Sequence, residues 1–371
     1  MKNVQQRNSR ILIAAGGTGG HLFPALSIAE KIRSIEPGAH LLFVGTRGKI
    51  EERVVPERGY SFRTIWISGI ARSFSPRNLL IPLKIVVSMM QSIALIRNFK
   101  PDVVVGTGGF VTGPVLYAAA FLGVPTLIQE QNSYPGLTTR KLAGRVTEVH
   151  VAFDAAAKDL KPAKCVKVSG NPTRDVLETV EREDGAKFFQ LNPQKKTLLA
   201  FGGSLGAASM NTAILRIVDD LRAADYQLIW QTGEHDFGKI QLATASLSGI
   251  RVEKFIERME SAYAAADLVL CRAGAITIAE ITRLGKPAIL IPYPHAAAGH
   301  QLTNAQTLVD AGAAAMVLDE ELAQNLKNIV FELLRDDHRR EQMARQSRSL
   351  GKPEAARTIA EAILRLAASA S

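Results

Sequence analysis

A chain of 371 residues has room for about two domains, and 47% hydrophobic with 22% charged residues is ordinary for a soluble globular enzyme. Two distant cysteines, Cys165 and Cys271, exclude a disulfide framework and a cysteine metal cluster, which fits a reducing cytoplasm. The net charge is +10, but residues 1–169 carry +12 and residues 170–371 carry −2, so the first half is expected to meet a polyanion.

The opening MKNVQQRNSR leads straight into a strand-like run, Ile11–Ala15, with no secretory apolar region before it. That run enters Gly16-Gly17-Thr18-Gly19-Gly20-His21 and then a helical pattern. Glycines there let backbone N–H groups close on a phosphate, and the helix N-terminus adds partial positive charge. The spacing departs from G-x-G-x-x-G. The next strand, Leu41–Val44, ends in Gly45-Thr46-Arg47 and not in the acidic residue that holds an NAD ribose; Arg47 leaves an NADP reading open. His21 stands in the first helical turn, as a base or donor in one reading and as a capping residue in the other.

Arg58 to Pro101 contains no acidic residue and seven basic ones. Inside it Phe74, Leu79 and Leu80 lie among Arg72 and Arg77, the pattern of a monotopic membrane contact in the favoured reading and of an ordinary loop capping a core helix in the other. Residues 79–96 approach the length of a membrane span. Pro82, Lys84, Ser88, Gln91 and Ser92 interrupt the run, which favours a buried or amphipathic helix.

A further strand, Val103–Val105, runs into the turn Gly106-Thr107-Gly108-Gly109-Phe110, which in one reading cradles a second diphosphate together with the first loop and in the other is a tightly packed strand-to-helix turn. Strands are expected at Thr126–Ile128 and Val166–Val168, and the turn-rich Ser169–Arg174 marks a linker. The second half repeats the device. Thr197–Ala200 leads to Gly202-Gly203-Ser204-Leu205-Gly206, and after Gln227–Ile229 the strand Leu268–Leu270 leads to Gly274, Ala275 and, on the following helix, Glu280. Ala288–Ile291 precedes the polar cluster Gly299–Asn304. The alternation predicts an α/β protein with parallel sheets, and one glycine loop opening each half predicts two nucleotide-fold domains facing a cleft. A turn at Gly351-Lys352-Pro353 sets off a last helix, 354–368, expected to pack back across both domains. No D-x-D motif follows a strand. Loop amides, helix ends and basic side chains are therefore expected to stabilise a leaving diphosphate without a metal.

GGTGGH, the GTGGF turn, Gln129-Glu130-Gln131-Asn132…Gly136, Gly170-Asn171-Pro172-x-Arg174, GGSLGA, Phe255-Ile256, GAITIAE and PYPHAAAGHQLTN stand in one order over most of the chain. Together they resemble the MurG family, the bacterial UDP-N-acetylglucosamine:lipid-linked muramyl-pentapeptide N-acetylglucosaminyltransferases. The resemblance implies a GT-B glycosyltransferase fold, two Rossmann-like domains with parallel sheets facing a central cleft. It implies an acceptor- and membrane-binding domain, 1–169, joined by the helix 354–371. A linker, 170–176, and a UDP-GlcNAc-binding domain, 177–353, complete the division. The implied reaction is inverting, metal-independent and cofactor-free. GlcNAc passes from UDP-GlcNAc to the 4-hydroxyl of undecaprenyl-pyrophosphoryl-MurNAc-pentapeptide (lipid I), giving lipid II for peptidoglycan.

Carried over by position, Thr18, Gly19 and Gly20 lie near the donor sugar, and Gly17, Gly19, Gly108 and Gly109 take the acceptor diphosphate. Asn132 holds the GlcNAc hydroxyls, and Arg174 and Ser204 serve the nucleotide and its phosphates. The backbone of Ile256 reads uracil, while Ala275, Ile276 and Thr277 offer a helix N-terminus to the diphosphate. Glu280 holds the ribose, Gln301 contacts GlcNAc, and His21 is the first candidate for the base. Many relatives place acidic residues where this chain has Ala298-Gly299. The implied partners are UDP-GlcNAc, lipid I, the anionic cytoplasmic face of the inner membrane and other cell-wall and division proteins, without nucleic acid. Two other readings compete: a UDP-GlcNAc 2-epimerase, which leaves the basic apolar segment unexplained, and a nucleic-acid-binding or membrane-scaffold protein, which only 6% aromatic residues disfavours.

Overall fold

Alternate residues of one strand build two different cores. Ile11 and Ile13 face one side of a sheet and Leu12 and Ala14 the other, all fully buried, as strands covered by helices on both faces must be. The computed structural model describes residues 7–69, 80–160, 162–203, 205–296 and 299–369. The expected contacts at Arg72, Phe74, Arg77, Leu79, Ser204 and Ala298 lie outside these residues. The chain divides into two units, residues 1–173 with 353–371 and residues 174–352.

The first unit runs β1 (Arg10–Ala15), α1 (Gly19–Ile35), β2 (His40–Gly45), α2 (Ile50–Glu57), β3 (Ser61–Thr64), α3 (Ile81–Phe99) and β4 (Val103–Gly108). It continues through α4 (Thr112–Phe121), β5 (Thr126–Glu130), α5 (Leu137–Leu142), β6 (Glu148–Val151), α6 (Asp154–Lys158) and β7 (Val166–Val168). Its seven parallel strands lie in the order β3-β2-β1-β4-β5-β6-β7, so the topology reverses between β1 and β4. Open α/β sheets bind ligands at the carboxyl ends of the strands flanking such a point. The C-terminal helix, Ala355–Ala368, belongs to this unit. Ile359, Ile363 and Leu366 recur at helical spacing and enter the core beside α1, each burial worth roughly 1.5–3 kcal/mol.

Helix α3 is built inside out. Its buried residues are Ser88, Ser92 and Ile96, while Leu83, Val86 and Met90 are 52%, 57% and 65% exposed. The serines are small enough for α3 to approach α4 closely. Their hydroxyls are satisfied by turning back on the helix, Ser88 to Ile85 O (3.0 Å) and Ser92 to Ser88 O (2.7 Å). Pro82 sits in the first turn, where its missing N–H costs nothing. No described helix is long and apolar enough to cross a membrane.

The second unit runs α7 (Arg182–Phe188), β8 (Thr197–Phe201), α8 (Ala208–Ala223), β9 (Gln227–Gln231), α9 (Glu234–Thr244), β10 (Ile250–Glu253), α10 (Met259–Ala265) and β11 (Leu268–Arg272). Then come α11 (Ala275–Leu284), β12 (Ala288–Ile291), α12 (His300–Asp310), β13 (Ala314–Met316), α13 (Leu322–Arg335) and α14 (Asp337–Ser349). Its six parallel strands lie in the order β10-β9-β8-β11-β12-β13, with the reversal between β8 and β11. The two glycine loops of this unit follow those two strands.

Two expectations shift locally. The third strand does not stop at Val105: β4 runs through Gly108, so the turn proper is Gly109 to Val111. β3, β6, β10 and β13 were not anticipated.

Candidate active site

In the first unit the loops after β1 and β4 touch across the reversal point. Gly108 and Gly109 hold φ of +109° and +83°, values open to glycine and strained for other residues. A Cβ on Gly109 would lie 2.1 Å from Gly16 O, and one on Gly108 would lie 2.4 Å from His21 Nδ1. Glycine is thus required twice over, by conformation and by close approach. The Thr112 hydroxyl ties this turn together, accepting from Gly108 N–H (3.1 Å) and reaching the carbonyls of Gly108 and Ala14. Thr107 Oγ1 donates to His21 O (2.8 Å) and holds the start of α1 against β4. Gly17, Gly19, His21, Gly108 and Gly109 are brought together here, with Thr18 and Gly20 exposed at the rim.

Three carboxamides and a carboxylate support this rim, and sequence reasoning gave none of them a role of its own. His21 Nδ1 lies 3.1 Å from Gln131 Oε1. Gln131 Nε2 donates to Thr107 O (2.6 Å) and to the Gln129 side-chain oxygen. Gln129 Nε2 donates to Asn171 Oδ1 (2.9 Å), and Asn171 Nδ2 returns to Gln131 O (3.0 Å). Glu130, buried at the end of β5, accepts from the backbone (3.1 Å) and the side chain (3.2 Å) of Asn132, from Gly136 N–H (3.0 Å) and from Thr139 Oγ1 (2.6 Å). It therefore sets the aim of Asn132, which is itself half-buried.

The expected use of the Gly17 amide meets a second carboxylate. Glu51 of α2 is fully buried and accepts from Gly17 N–H (3.1 Å), Thr46 N–H (3.1 Å) and Thr46 Oγ1 (2.8 Å). The loop is thus already closed around a negative group supplied by the chain.

In the second unit the loop after β8 and the turn before α11 flank the other reversal point. Gly203 and Gly206 take φ of +93° and +78°, and a Cβ on Gly206 would lie 2.1 Å from Thr232 O. Gly274 caps α11 at its N-terminus, leaving the first-turn amides from Ala275 to Thr277 with the partial positive charge of a helix start. Gln231 links the sheet to the glycine loop, donating to Gly203 O (2.9 Å) and accepting from Ile256 N–H (2.8 Å). The Ile256 amide is therefore engaged within the protein.

Glu280 lies on α11, largely buried, with Tyr263 OH donating to Oε2 (3.0 Å) and Arg174 3.9 Å from Oε1. Burial pushes its carboxyl above the usual range, with Arg174 and Tyr263 opposing. Tyr263 is in turn pushed well above the usual phenol range by its own burial and by Glu280. Gln301 accepts from Tyr293 N–H (2.9 Å). Arg272, at the end of β11, pairs with Asp319 (2.5 Å), donates to Ser209 Oγ (3.0 Å) and lies over the Tyr293 ring; it was not given a role from the sequence. Among the described residues no three His, Cys, Asp or Glu side chains are grouped to hold a metal ion.

Comparison with known proteins bears on the family and the fold. The glycosyltransferase family 28 N-terminal domain matches residues 11–151 and the corresponding C-terminal domain matches residues 197–361. The chain is 43% identical over 365 residues to the UDP-N-acetylglucosamine–N-acetylmuramyl-(pentapeptide) pyrophosphoryl-undecaprenol N-acetylglucosamine transferase of Salinibacter ruber, covering 98% of each chain. It is 47% identical over 363 residues to the protein of the same name from Chlorobium luteolum, covering 96% of this chain and 99% of that one. Among solved structures, MurG of Acinetobacter baumannii has a TM-score of 0.75 at 28% identity, covering 96% of this chain and 99% of its own. A UDP-GlcNAc 2-epimerase from Neisseria meningitidis shares the fold at 16% identity and a TM-score of 0.69, over 96% of this chain and 100% of its own. Both units are thus Rossmann-like domains of the GT-B kind.

Proposed function

The chain belongs to glycosyltransferase family 28, and from this we propose that it transfers N-acetylglucosamine from UDP-GlcNAc to the 4-hydroxyl of undecaprenyl-pyrophosphoryl-MurNAc-pentapeptide. One observation carries the reading beyond the family: each unit places a glycine loop and a helix start at the reversal point of its sheet. Each half can therefore receive a diphosphate-bearing substrate.

In the reaction the acceptor 4-hydroxyl oxygen attacks C1 of GlcNAc, the bond from C1 to the UDP oxygen breaks, and the hydroxyl proton passes to His21. Configuration inverts. Negative charge growing on the diphosphate is met by the first-turn amides of Ala275, Ile276 and Thr277 and by the loop at Ser204. Glu280 accepts the ribose hydroxyls and Arg174 serves the phosphates. Because Gln231 engages the Ile256 amide, the uracil edge is read by the Ile256 carbonyl. Gln301 and Asn132 hold GlcNAc hydroxyls, with Thr18, Gly19 and Gly20 beside the sugar. Gly17, Gly19, Gly108 and Gly109 receive the acceptor diphosphate; for Gly17 this means sharing or displacing Glu51.

The lipid-linked acceptor calls for a protein that meets a membrane surface. The apolar outer face of α3, in a half of the chain with net charge +12, supplies it. We place the protein at the cytoplasmic face of the inner membrane, bound peripherally, where other cell-wall and division proteins are its neighbours. The epimerase reading shares only the fold and has no use for this face.

The test is UDP release from UDP-GlcNAc, with and without the lipid-linked acceptor, in EDTA. Acceptor-dependent release undiminished by EDTA supports the transferase. Release without acceptor, or interconversion at C2 of the sugar, overturns it.

A further inference from the structure

We infer that Gln131 is the positioning residue that selects the tautomer of His21, holding the proton on Nδ1 and leaving Nε2 as the proton acceptor. The inference rests on the transferase reading for its functional meaning and on hydrogen-bond direction for its structural content.

The direction is set by what surrounds the Gln131 carboxamide. Its Nε2 faces Thr107 O at 2.6 Å, Gln129 O at 3.1 Å and the Gln129 side-chain oxygen. All three are acceptors, so the amide NH2 must lie on that side. Reversing the amide would set oxygen against oxygen. Gln129 cannot reverse to relieve this, because its own Nε2 donates to Asn171 Oδ1, and Asn171 Nδ2 donates to Gln131 O. The ring of bonds is one-directional, and Gln129, Gln131 and Asn171 are at most 4% exposed. Only Gln131 Oε1 remains to face His21 Nδ1, and an amide oxygen can only accept. Nδ1 therefore carries the hydrogen in the neutral ring.

Gly108 makes the arrangement sterically possible, since any Cβ there would strike Nδ1 at 2.4 Å. Thr107 fixes the His21 backbone in the same place. The carboxylates on the neighbouring elements are engaged elsewhere, Glu51 on Gly17 and Thr46, Glu130 on Asn132, Gly136 and Thr139. A neutral amide, not an acid, thus orients the imidazole. Serine hydrolases fix the same tautomer with aspartate, and there the wrong tautomer is severely damaging.

The experiment is 15N NMR of the full chain labelled at histidine, with the His21 signals identified by their loss in His21→Gln. Native protein at a pH where the ring is neutral should show a protonated Nδ1 and an unprotonated Nε2. In Gln131→Met, which keeps length but removes the acceptor, the ring should redistribute toward Nε2–H. Its kcat should fall about 10- to 100-fold, up to the lower end of the ~10²–10⁴-fold a general base contributes, since the base is misdirected and not removed, with both KM values within about twofold of native. Gln131→Asn, which keeps the amide but shortens it, serves if the Met variant does not fold, and should show the same redistribution. A native ring protonated on Nε2, or a tautomer unmoved in a folded variant, overturns the inference whatever the activity. Absence of acceptor-dependent UDP release from native protein, with the tautomer as expected, overturns the transferase reading instead.

Discussion

Arg365, in the C-terminal helix, reaches Glu148 of β6 at 2.5 Å across 217 positions of sequence. Glu148 also accepts from Lys167 (3.1 Å) and from the buried ring of His150 (3.0 Å), whose other nitrogen meets Ser169 Oγ (2.7 Å). Burial works against the Glu148 charge, but the bonds from His150 and Lys167 and the charge of Arg365 hold its carboxyl below the usual range. Burial holds His150 below the usual imidazole range, with Glu148 opposing.

Both shifts act in one direction on stability. A group whose folded-state pKa is depressed binds protons more readily in the unfolded chain, so stability is lost as pH falls. His150 acts first, as pH drops below about 6.5, the ordinary imidazole value, and Glu148 acts in the carboxylate range. Urea midpoints measured from pH 8 to 4 should therefore decline on acidification. The decline between pH 7 and 5 should be shallower in His150→Gln. An equal slope in the two proteins contradicts this account.

Glu280 makes the opposite kind of pH statement. Its carboxyl is raised by burial, and the proposed role, accepting two ribose hydroxyls, requires it to be ionised. UDP affinity should weaken as pH falls, beginning above the ordinary carboxylate range. Glu280→Gln should bind UDP about 10- to 100-fold more weakly at pH 8, the worth of a hydrogen bond to a charged group, and should lose most of the pH dependence. Titration calorimetry at several pH values measures both.

Gly109 and Gly123 form a matched pair. Both have positive φ, +83° and +75°, but a Cβ at Gly123 meets nothing within 4 Å, whereas at Gly109 it meets Gly16 O. Gly123→Ala should cost about 1 kcal/mol of stability and leave turnover intact. Gly109→Ala must push the two loops apart and should lower kcat/KM by about 100-fold or more, as displacements near 1 Å can. Steady-state kinetics beside thermal melts separate the two effects.

The α3 face can be tested without chemistry. Val86→Glu with Met90→Glu should leave the fold unchanged, since both side chains already point to solvent. The double variant should lower binding to anionic phospholipid vesicles at least about 10-fold, because each buried apolar side chain is worth roughly 1.5–3 kcal/mol. Sedimentation with vesicles gives the affinity, and added salt should weaken the native protein as well. Unchanged vesicle binding would remove this helix from the membrane contact.

Much of the fold was legible because its central strands are continuous apolar runs. Ile11–Ala15, Thr197–Ala200 and Ala288–Ile291 could be little else. The strands that escaped were of two kinds. β3, β10 and β13 are short edge strands, solvated along one side, with weak patterns such as Ser61-Phe62-Arg63-Thr64. β6 is interior, but its buried positions include Glu148 and His150, tolerable only because they pair with each other and with Lys167 and Arg365. The site divides similarly. Glycine loops announce themselves, and the place of Glu280 on a helix opened by Gly274 can be read from their spacing. Gln131 and Glu51 make their hydrogen bonds to partners 110 and 34 positions away, which no local pattern records.

The C-terminal helix has a consequence for biosynthesis. The second unit is one uninterrupted stretch, residues 174–352, and has all its strands and helices as soon as that stretch leaves the ribosome. The first unit has its seven strands much earlier, yet Ile359, Ile363 and Leu366 are still missing from the core beside α1. Until they arrive, that face of the sheet and helix stays open and apolar, a liability during synthesis. The unit begun first is therefore finished last, and a chain arrested before residue 353 holds one finished domain and one unclosed.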